Sequence, residues 1–509
     1  MKQVVCRRTV LSMLIAVALA GCSLAPKYER PIAPVPGQYP DQDAVSNSGP
    51  GSARAIAPNA GFSADLGWSE FFRDPRLRKL ISLSLANNRD IRIAVQRVQE
   101  ARALYGIVDS DRLPAIGVGV TGQLIRSPED VRIPGTQSVS RLYQAGVGMT
   151  SFELDFFGRV KNLSEAAFQQ YLSTAQASRT VHINLVALVA EAYFRLRTSQ
   201  QLEGLMQKTF ESRQNTYALV KARYDAGVAS ALDLSQAKTQ LDTVRVDMAT
   251  IRRTESQALN ALQLLLGAPL PADLPAPAVF GRDQLLAAIP VGLPSDLLER
   301  RPDIMGAENA LLAANANIGA ARAAFFPNIS ITGLLGFASP QLSGLFGSSH
   351  GFWQFAPQLQ MPLFSGSVSK NLDLAEARNN IAVAQYEKTI QTAFREIADA
   401  LAGEATYSNQ LDALRALEAS ASETLQLATL RYETGIDSFL QVQNAEVALY
   451  TTQQAFFQTG LESLSNRVEL YKALGGGWLE SSVVANAPSV SGRETGVTTG
   501  KASAKTLSR

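Results

Sequence analysis

The chain has 509 residues, 46% of them hydrophobic, and a formal net charge of +2. That length buries a large core and points to two or more domains, while near-neutrality without a basic block excludes nucleic acid as a partner. Two histidines and two cysteines leave little raw material for metal or nucleophile chemistry, so neither catalysis nor a diffusible cofactor is expected.

Residues 1–21 read as a signal peptide. Lys2, Arg7 and Arg8 precede an apolar run from Val10 to Ala20, too short to span a bilayer as a helix. The run ends in Leu19-Ala20-Gly21-Cys22, which resembles the bacterial lipobox, where Cys22 would become the first residue and carry a covalent lipid. An ordinary signal with a chance cysteine is the alternative. Removal of Cys6 with the signal leaves Cys22 alone, so the mature chain has no internal disulfide. Ser23 follows the cysteine where Asp does not, which by the same resemblance favours export to the outer membrane. Residues 22–72 continue with "SLAPKYERPIAPVPGQYP", a Pro-rich stretch that reads as an extended tether.

No later segment offers the roughly 18 consecutive apolar residues that a membrane helix requires. Four short segments alternate instead. "AIGVGVTGQL" aligns Ile116, Val118, Val120 and Leu124, and "LYQAGVGMTSFEL" aligns Tyr143, Ala145, Val147 and Met149. "NISITGLLGF" aligns Ile329, Ile331, Leu335 and Phe337. "FWQFAPQLQMPL" sets Trp353, Phe355, Leu359 and Met361 against Gln354, Gln358 and Gln360. Such segments suit either outer-membrane β-strands or a soluble sheet, and the lipobox selects the membrane. Four strands cannot close a barrel, for which about eight is the small end. Open edges are not tolerated in lipid, so several chains must pool their strands.

Between the strands, Pro134 to Pro269 and Pro362 to Pro488 enclose long proline-free stretches that permit very long helices. Continuous helix from Phe157 to Tyr224 would reach about 100 Å. Each stretch contains a hairpin tip, "RYDAGVASALDL" from Arg223 and "RYETGIDSFLQV" from Arg431, about 208 residues apart. Gly227 and Gly435 can leave the helix in the left-handed conformation, and Ser230 and Ser438 (or Asp437) can cap the next one. After the first tip, Leu234, Ala237, Leu241, Val244, Met248, Ile251, Glu255, Ala258, Leu262 and Leu265 recur three and four apart as a coiled-coil seam, with Glu255 its one polar intruder. Val442, Ala445, Leu449, Thr452 and Phe456 repeat the phase, and before the tips Met206, Arg213, Tyr217, Val220 and Tyr224 match Leu414, Ala421, Leu425, Ala428 and Tyr432.

The repeat extends outward. A helical stretch passes through Pro114 or Pro327 into a strand, and a strand exits through Gly158 or Gly366 into the next long helix. Each half reads helix, strand, strand, long helix, tip, helix. The chain therefore divides into repeats at 73–270 and 294–478, a linker at 271–293, and a Ser/Thr/Gly/Ala-rich tail at 479–509 expected to be disordered. The fold class is mostly α, with a membrane β-barrel and an internal tandem duplication.

In this order, "GCSLAPKYERP", "LLERRPDI", "IGAARAAFFPNISITG" and "ALGGGW" resemble the TolC-like outer-membrane factors, and within them the OprM/NodT-type efflux lipoproteins. The resemblance covers nearly the whole chain. It implies a homotrimer with a shared twelve-stranded barrel and a coiled-coil α-barrel tunnel crossing the periplasm. It also implies a periplasmic adaptor and an inner-membrane pump of the proton-driven resistance-nodulation-division (RND) class. As physics, "LLERRPDI" is a helix start, with Pro302 in the first turn and Asp303 near the positive dipole end, and it points to a structural role between the halves.

In that family the tips converge into a closed aperture held by polar links. Tyr432 matches a tyrosine and Asp233 an aspartate that pair in some members, so a phenol–carboxylate latch is implied, with Tyr224 as the counterpart in the first tip. Read as residues alone, both tyrosines are seam aromatics and Asp233 sits favourably in a first helical turn. Gln441 and Asn444 stand where some relatives carry acids, so a carboxylate ring with cation preference is not implied here. Asp437 replaces an arginine found in some relatives. The implied function is a passive exit duct for drugs or other small molecules. A type I protein-secretion duct and a structural envelope lipoprotein are the alternatives.

Overall fold

The computed structural model describes residues 23–40, 65–133, 135, 137–278, 281, 284–286, 297–479 and 481. The expected signal at 1–21, Cys22, much of the tether and linker, and nearly all of the tail lie outside them.

In chain order the main elements are α1 (Pro75–Asn87), α2 (Arg89–Ser110), β1 (Ile116–Arg126), β2 (Val139–Glu153), α3 (Arg159–Asp225) and α4 (Ala231–Leu266). The second half supplies α5 (Pro302–Ala323), β3 (Asn328–Ser339), β4 (Gly351–Gln360), α6 (Gly366–Glu433) and α7 (Phe439–Ala473). The duplicated order is the predicted one. Helix starts are specified locally: Pro75 opens α1 behind the Asp74 cap, and the Asn88 side chain accepts from the Asp90 and Ile91 amides to start α2. The long helices α3 and α6 run 67 and 68 residues, about 100 Å each.

The four strands form one antiparallel sheet in the order β1-β2-β3-β4. Beneath it α2, α3, α5 and α6 lie side by side in the same order, and farther down α4 packs on α3, and α7 on both α6 and α3. The main core is a belt partway along the long helices. There Phe71 stacks on Tyr471 at 4.0 Å between ring centres, and the Tyr193 hydroxyl donates to buried Asp74 at 2.6 Å. Tyr193, Phe194, Tyr386 and Tyr471 are all fully enclosed.

Arg301 locks this belt. It sits at the N-cap of α5, with Pro302 at the first helical position as the sequence predicts. Its guanidinium donates to Asp303 at 2.8–3.0 Å, to Glu396 on α6 at 2.5 Å, and to the Ala473 carbonyl ending α7 at 2.9 Å. The "LLERRPDI" motif thus ties the start of the second repeat to its two later helices.

The Pro-rich segment is extended, and it is also fastened. Ser23 Oγ donates to Asn162 at 2.7 Å, Asn315 donates to the Pro26 carbonyl at 2.9 Å, and Arg30 forks onto Glu308 at 2.8 and 2.9 Å. Composition alone gave no reason to expect docking, because the partners come from α3 and α5.

On α3, burial and then the neighbouring Glu469 carboxyl push the Glu191 carboxyl up to about 7 from an ordinary 4.5. The folded chain then holds a proton that the unfolded chain has lost, so this pair's contribution to stability falls as pH rises from 4.5 to about 7 and stays low above. Glu191→Gln, which keeps a donor to Glu469, is expected to remove that slope and stabilise the protein at pH 8 by about 1 kcal/mol after allowance for solvent screening. Thermal unfolding in detergent at pH 5 and pH 8 checks it; an unchanged difference between the two pH values would refute it.

Candidate functional site

Two regions carry the chemistry: the exposed face of the sheet and the pair of tips. Register aligns Ile116, Met149, Gly333 and Phe355 in one row, and Val118, Val147, Leu335 and Trp353 in the next. Paired residues share a face, so the apolar faces expected of the separate segments merge into one. Among the described residues no helix covers it: Val118 is 82% exposed and Trp353 76%. A soluble sheet buries such a face, and a contiguous apolar surface of this kind marks a membrane or partner surface. The opposite face carries Gly119, Gly146 and Gly336 in one row, completed by Phe352, with Thr121 beside Gln144 and Gln354 opposite Leu334. The edge strands β1 and β4 have no further strand partner among the described residues. One feature escaped the period-two pattern: β2 bulges between Met149 and Phe152, where Ser151 takes φ 50 and donates its amide to Thr332.

At the other end, Gly227 and Gly435 adopt φ 79 and 78, the left-handed turn that lets each helix stop and reverse within five residues. Beyond the turn the copies diverge. Ser230 caps α4 through a capping box, accepting from the Asp233 amide at 3.1 Å while Asp233 accepts from the Ser230 amide at 3.0 Å. Ser438 occupies the same position before α7, with Gln441 where the first tip has Asp233, but its side chain makes no cap bond. Asp437 is instead forked by Arg431 at 2.5 and 3.1 Å, which holds the Asp437 carboxyl below the usual carboxylate range.

The two tyrosines separate as well. Tyr432 is buried in an apolar cluster with Val220, Phe439 and Val442, whereas Tyr224 is 42% exposed. The cause is local: Phe439 covers Tyr432 at 5.4 Å between ring centres, while Ala231 stands at the corresponding place in the first tip. Within this chain Tyr432 is therefore packed along the seam and Tyr224 faces outward. Tyr432 and Asp233 are close enough for the carboxylate to add to the burial that raises the phenol's pKa, but they are not bonded within this chain. The Tyr432 hydroxyl is buried without a hydrogen-bond partner among the described residues.

The seam is occupied as predicted, with Ala237, Leu241, Val244, Ile251 and Ala258 buried, and Glu255 accepts from Gln200 at 3.2 Å. Arg213, on the same phase of α3, is buried and donates to the Gln240 carbonyl at 2.9 Å with Tyr450 against its guanidinium. Its position among seam apolars was a signal that spacing alone could not interpret. His182, in α3, packs edge-on to Trp478 at 4.9 Å, and burial lowers its pKa. Among the described residues no group of three or more His, Cys, Asp or Glu side chains is placed to hold a metal, and no helix is long and apolar enough to cross a membrane.

Comparison with known proteins agrees with this geometry. The model of the family described as "Outer membrane efflux protein" matches residues 80–268 and 293–476. The toluene efflux pump outer membrane protein TtgC of Pseudomonas putida is 44% identical over 481 residues, covering 94% of this chain and 98% of the relative. A crystal structure of a membrane protein from Pseudomonas aeruginosa superposes with a TM-score of 0.81 at 41% identity, covering 89% of this chain and all of the other. The open state of the Neisseria gonorrhoeae MtrE outer membrane channel gives a TM-score of 0.80 at 35% identity, over 91% of this chain and all of that one.

Proposed function

This chain belongs to the outer membrane efflux protein family, and we propose that it is the outer-membrane exit channel of a tripartite efflux pump driven by an RND-class transporter. The uncovered apolar face running across all four strands carries the reading. Turned to lipid, it makes the glycine and glutamine face the wall of a polar lumen. The free edges of β1 and β4 are closed by further copies, three chains giving a twelve-stranded barrel. Exposed Ile107 on α2 and Ile381 on α6 lie on the two outer helices of the row and support the same side-by-side packing.

Below the membrane the paired hairpins form the tunnel, and their tips form a closed aperture that a periplasmic adaptor opens. Cargo passes passively, because energy and selection belong to the pump. Cys22 carries the lipid anchor. Ser23, bonded to the first turns of α3 just after β2 ends, supports an anchor at the level of the membrane surface.

Single-channel conductance of the purified mature protein in a planar bilayer tests both channel and gate. The wild type is expected to give low, flickering conductance, and Asp233→Ala/Tyr432→Phe a large, steady one. Identical channels from both would remove these residues from the gate; no channel from correctly assembled protein would remove the duct. Intact mass of the same preparation tests the anchor, which requires loss of residues 1–21 and the gain of acyl chains.

A further inference from the structure

We propose that Arg223 is the pin that holds the second hairpin against the first in the closed tip; this rests on the gate reading above and supplies it with a residue. Its guanidinium carbon lies 4.7 Å from the centre of the Tyr432 ring, and its Nη1 reaches 3.5 Å from the Glu433 carbonyl. Glu433 is the last residue of α6, where carbonyls lack helical partners and the dipole is negative. One cation thus engages two features of the opposite hairpin: the face of its buried aromatic and the end of its long helix. The Arg223 Nε is itself buried and has no hydrogen-bond partner among the described residues, so the side chain is drawn across the interface rather than outward to water.

The duplication explains why this arginine crosses and its twin does not. Arg431 stands at the equivalent place in the second tip, and Asp437 holds it inside its own hairpin. The counterpart of Asp437 in the first tip is Ala229, whose side chain offers the Arg223 guanidinium no acceptor. The other nearby acids are occupied: Asp225 is bonded by Lys221 at 2.6 Å, and Asp233 by the Ser230 amide. A cation resting on a ring face and one carbonyl can be withdrawn without unfolding either hairpin, as a gate requires. Arg223 is a positioning residue: it sets where the second hairpin lies.

The test uses the full-length protein purified from membranes, with Arg223→Met, which keeps the stem and removes the charge, and Ala229→Asp, which leaves Arg223 intact and gives the first tip the acid that restrains Arg431. Both are expected to speed amide hydrogen exchange in the second tip, residues 434–440, by about tenfold, the mark of a locally released segment. Both are also expected to raise steady conductance, with Arg223→Lys falling between them and wild type. Unchanged exchange in either variant overturns the pin. Faster exchange in both with unchanged conductance upholds the pin and overturns the gate reading.

Discussion

Gly336→Ala is expected to cut the yield of assembled channel at least about tenfold, while Gly119→Ala in the same row assembles normally. Gly336 of β3 lies opposite Gly146 of β2, and the two strands approach so closely that a side-chain carbon at 336 would meet the Ala145 carbonyl oxygen and the Gly146 Cα. The facing position fails for the same reason, since a carbon at Gly146 would lie 2.6 Å from the Leu335 carbonyl oxygen. These obstacles are backbone and cannot rotate away, so the cost is at least the ~1–3 kcal/mol of an overpacked core. Gly119 has nothing within 4 Å of such a carbon. The loss falls on the β2–β3 pairing, which joins the two repeats within the membrane, so the barrel cannot close. Heat-resistant oligomer on unboiled gels, scored for both variants beside wild type, decides it: equal yields would show that the sheet is looser than the register implies.

Arg301→Ala is expected to destabilise the protein by about 3 kcal/mol, the lower end for breaking a buried ion cluster whose acids keep some contact with water. The variant strands Asp303 and Glu396 without their common donor and leaves the Ala473 carbonyl at the end of α7 unbonded. Arg301→Lys restores less than half of the loss, because an ammonium cannot present the fork that reaches two carboxylates and a carbonyl at once. The neighbouring Arg300, which meets Asp65 at the surface, provides the contrast: its Ala variant is expected to cost under about 1 kcal/mol. Thermal unfolding of the three purified variants checks the order. Arg301→Ala no less stable than Arg300→Ala would remove the clamp that joins the three helices of the second repeat.

Much of the architecture was legible in the chain because it is written in local periods. Val118, Val120 and Trp353 alternate with glycine, threonine and glutamine, and a period of two needs no tertiary context to define a face. Proline-free runs set the reach of α3 and α6, and Gly227 and Gly435 mark where each must turn. Duplication was legible for the same reason, since both copies keep the same punctuation.

The candidate site was less so. Arg223 and Arg431, or Tyr224 and Tyr432, are identical letters in matching places, yet one arginine crosses to the other hairpin and one tyrosine is buried while its twin is exposed. What separates them is Ala229 against Asp437 and Ala231 against Phe439: the second tip's contacts are made within that tip, but that Arg223 crosses to Tyr432 and Glu433 appears only when the two tips lie against each other. Arg301 likewise finds Glu396 and Ala473, 95 and 172 residues away, and the strap after Cys22 finds its partners on α3 and α5. By itself the sequence determined the repeat, the strands, the long helices and the turning points, because backbone geometry follows near neighbours. The tertiary structure alone decided which polar side chains meet, because a buried charge takes the partner that packing brings to it, wherever that partner lies along the chain.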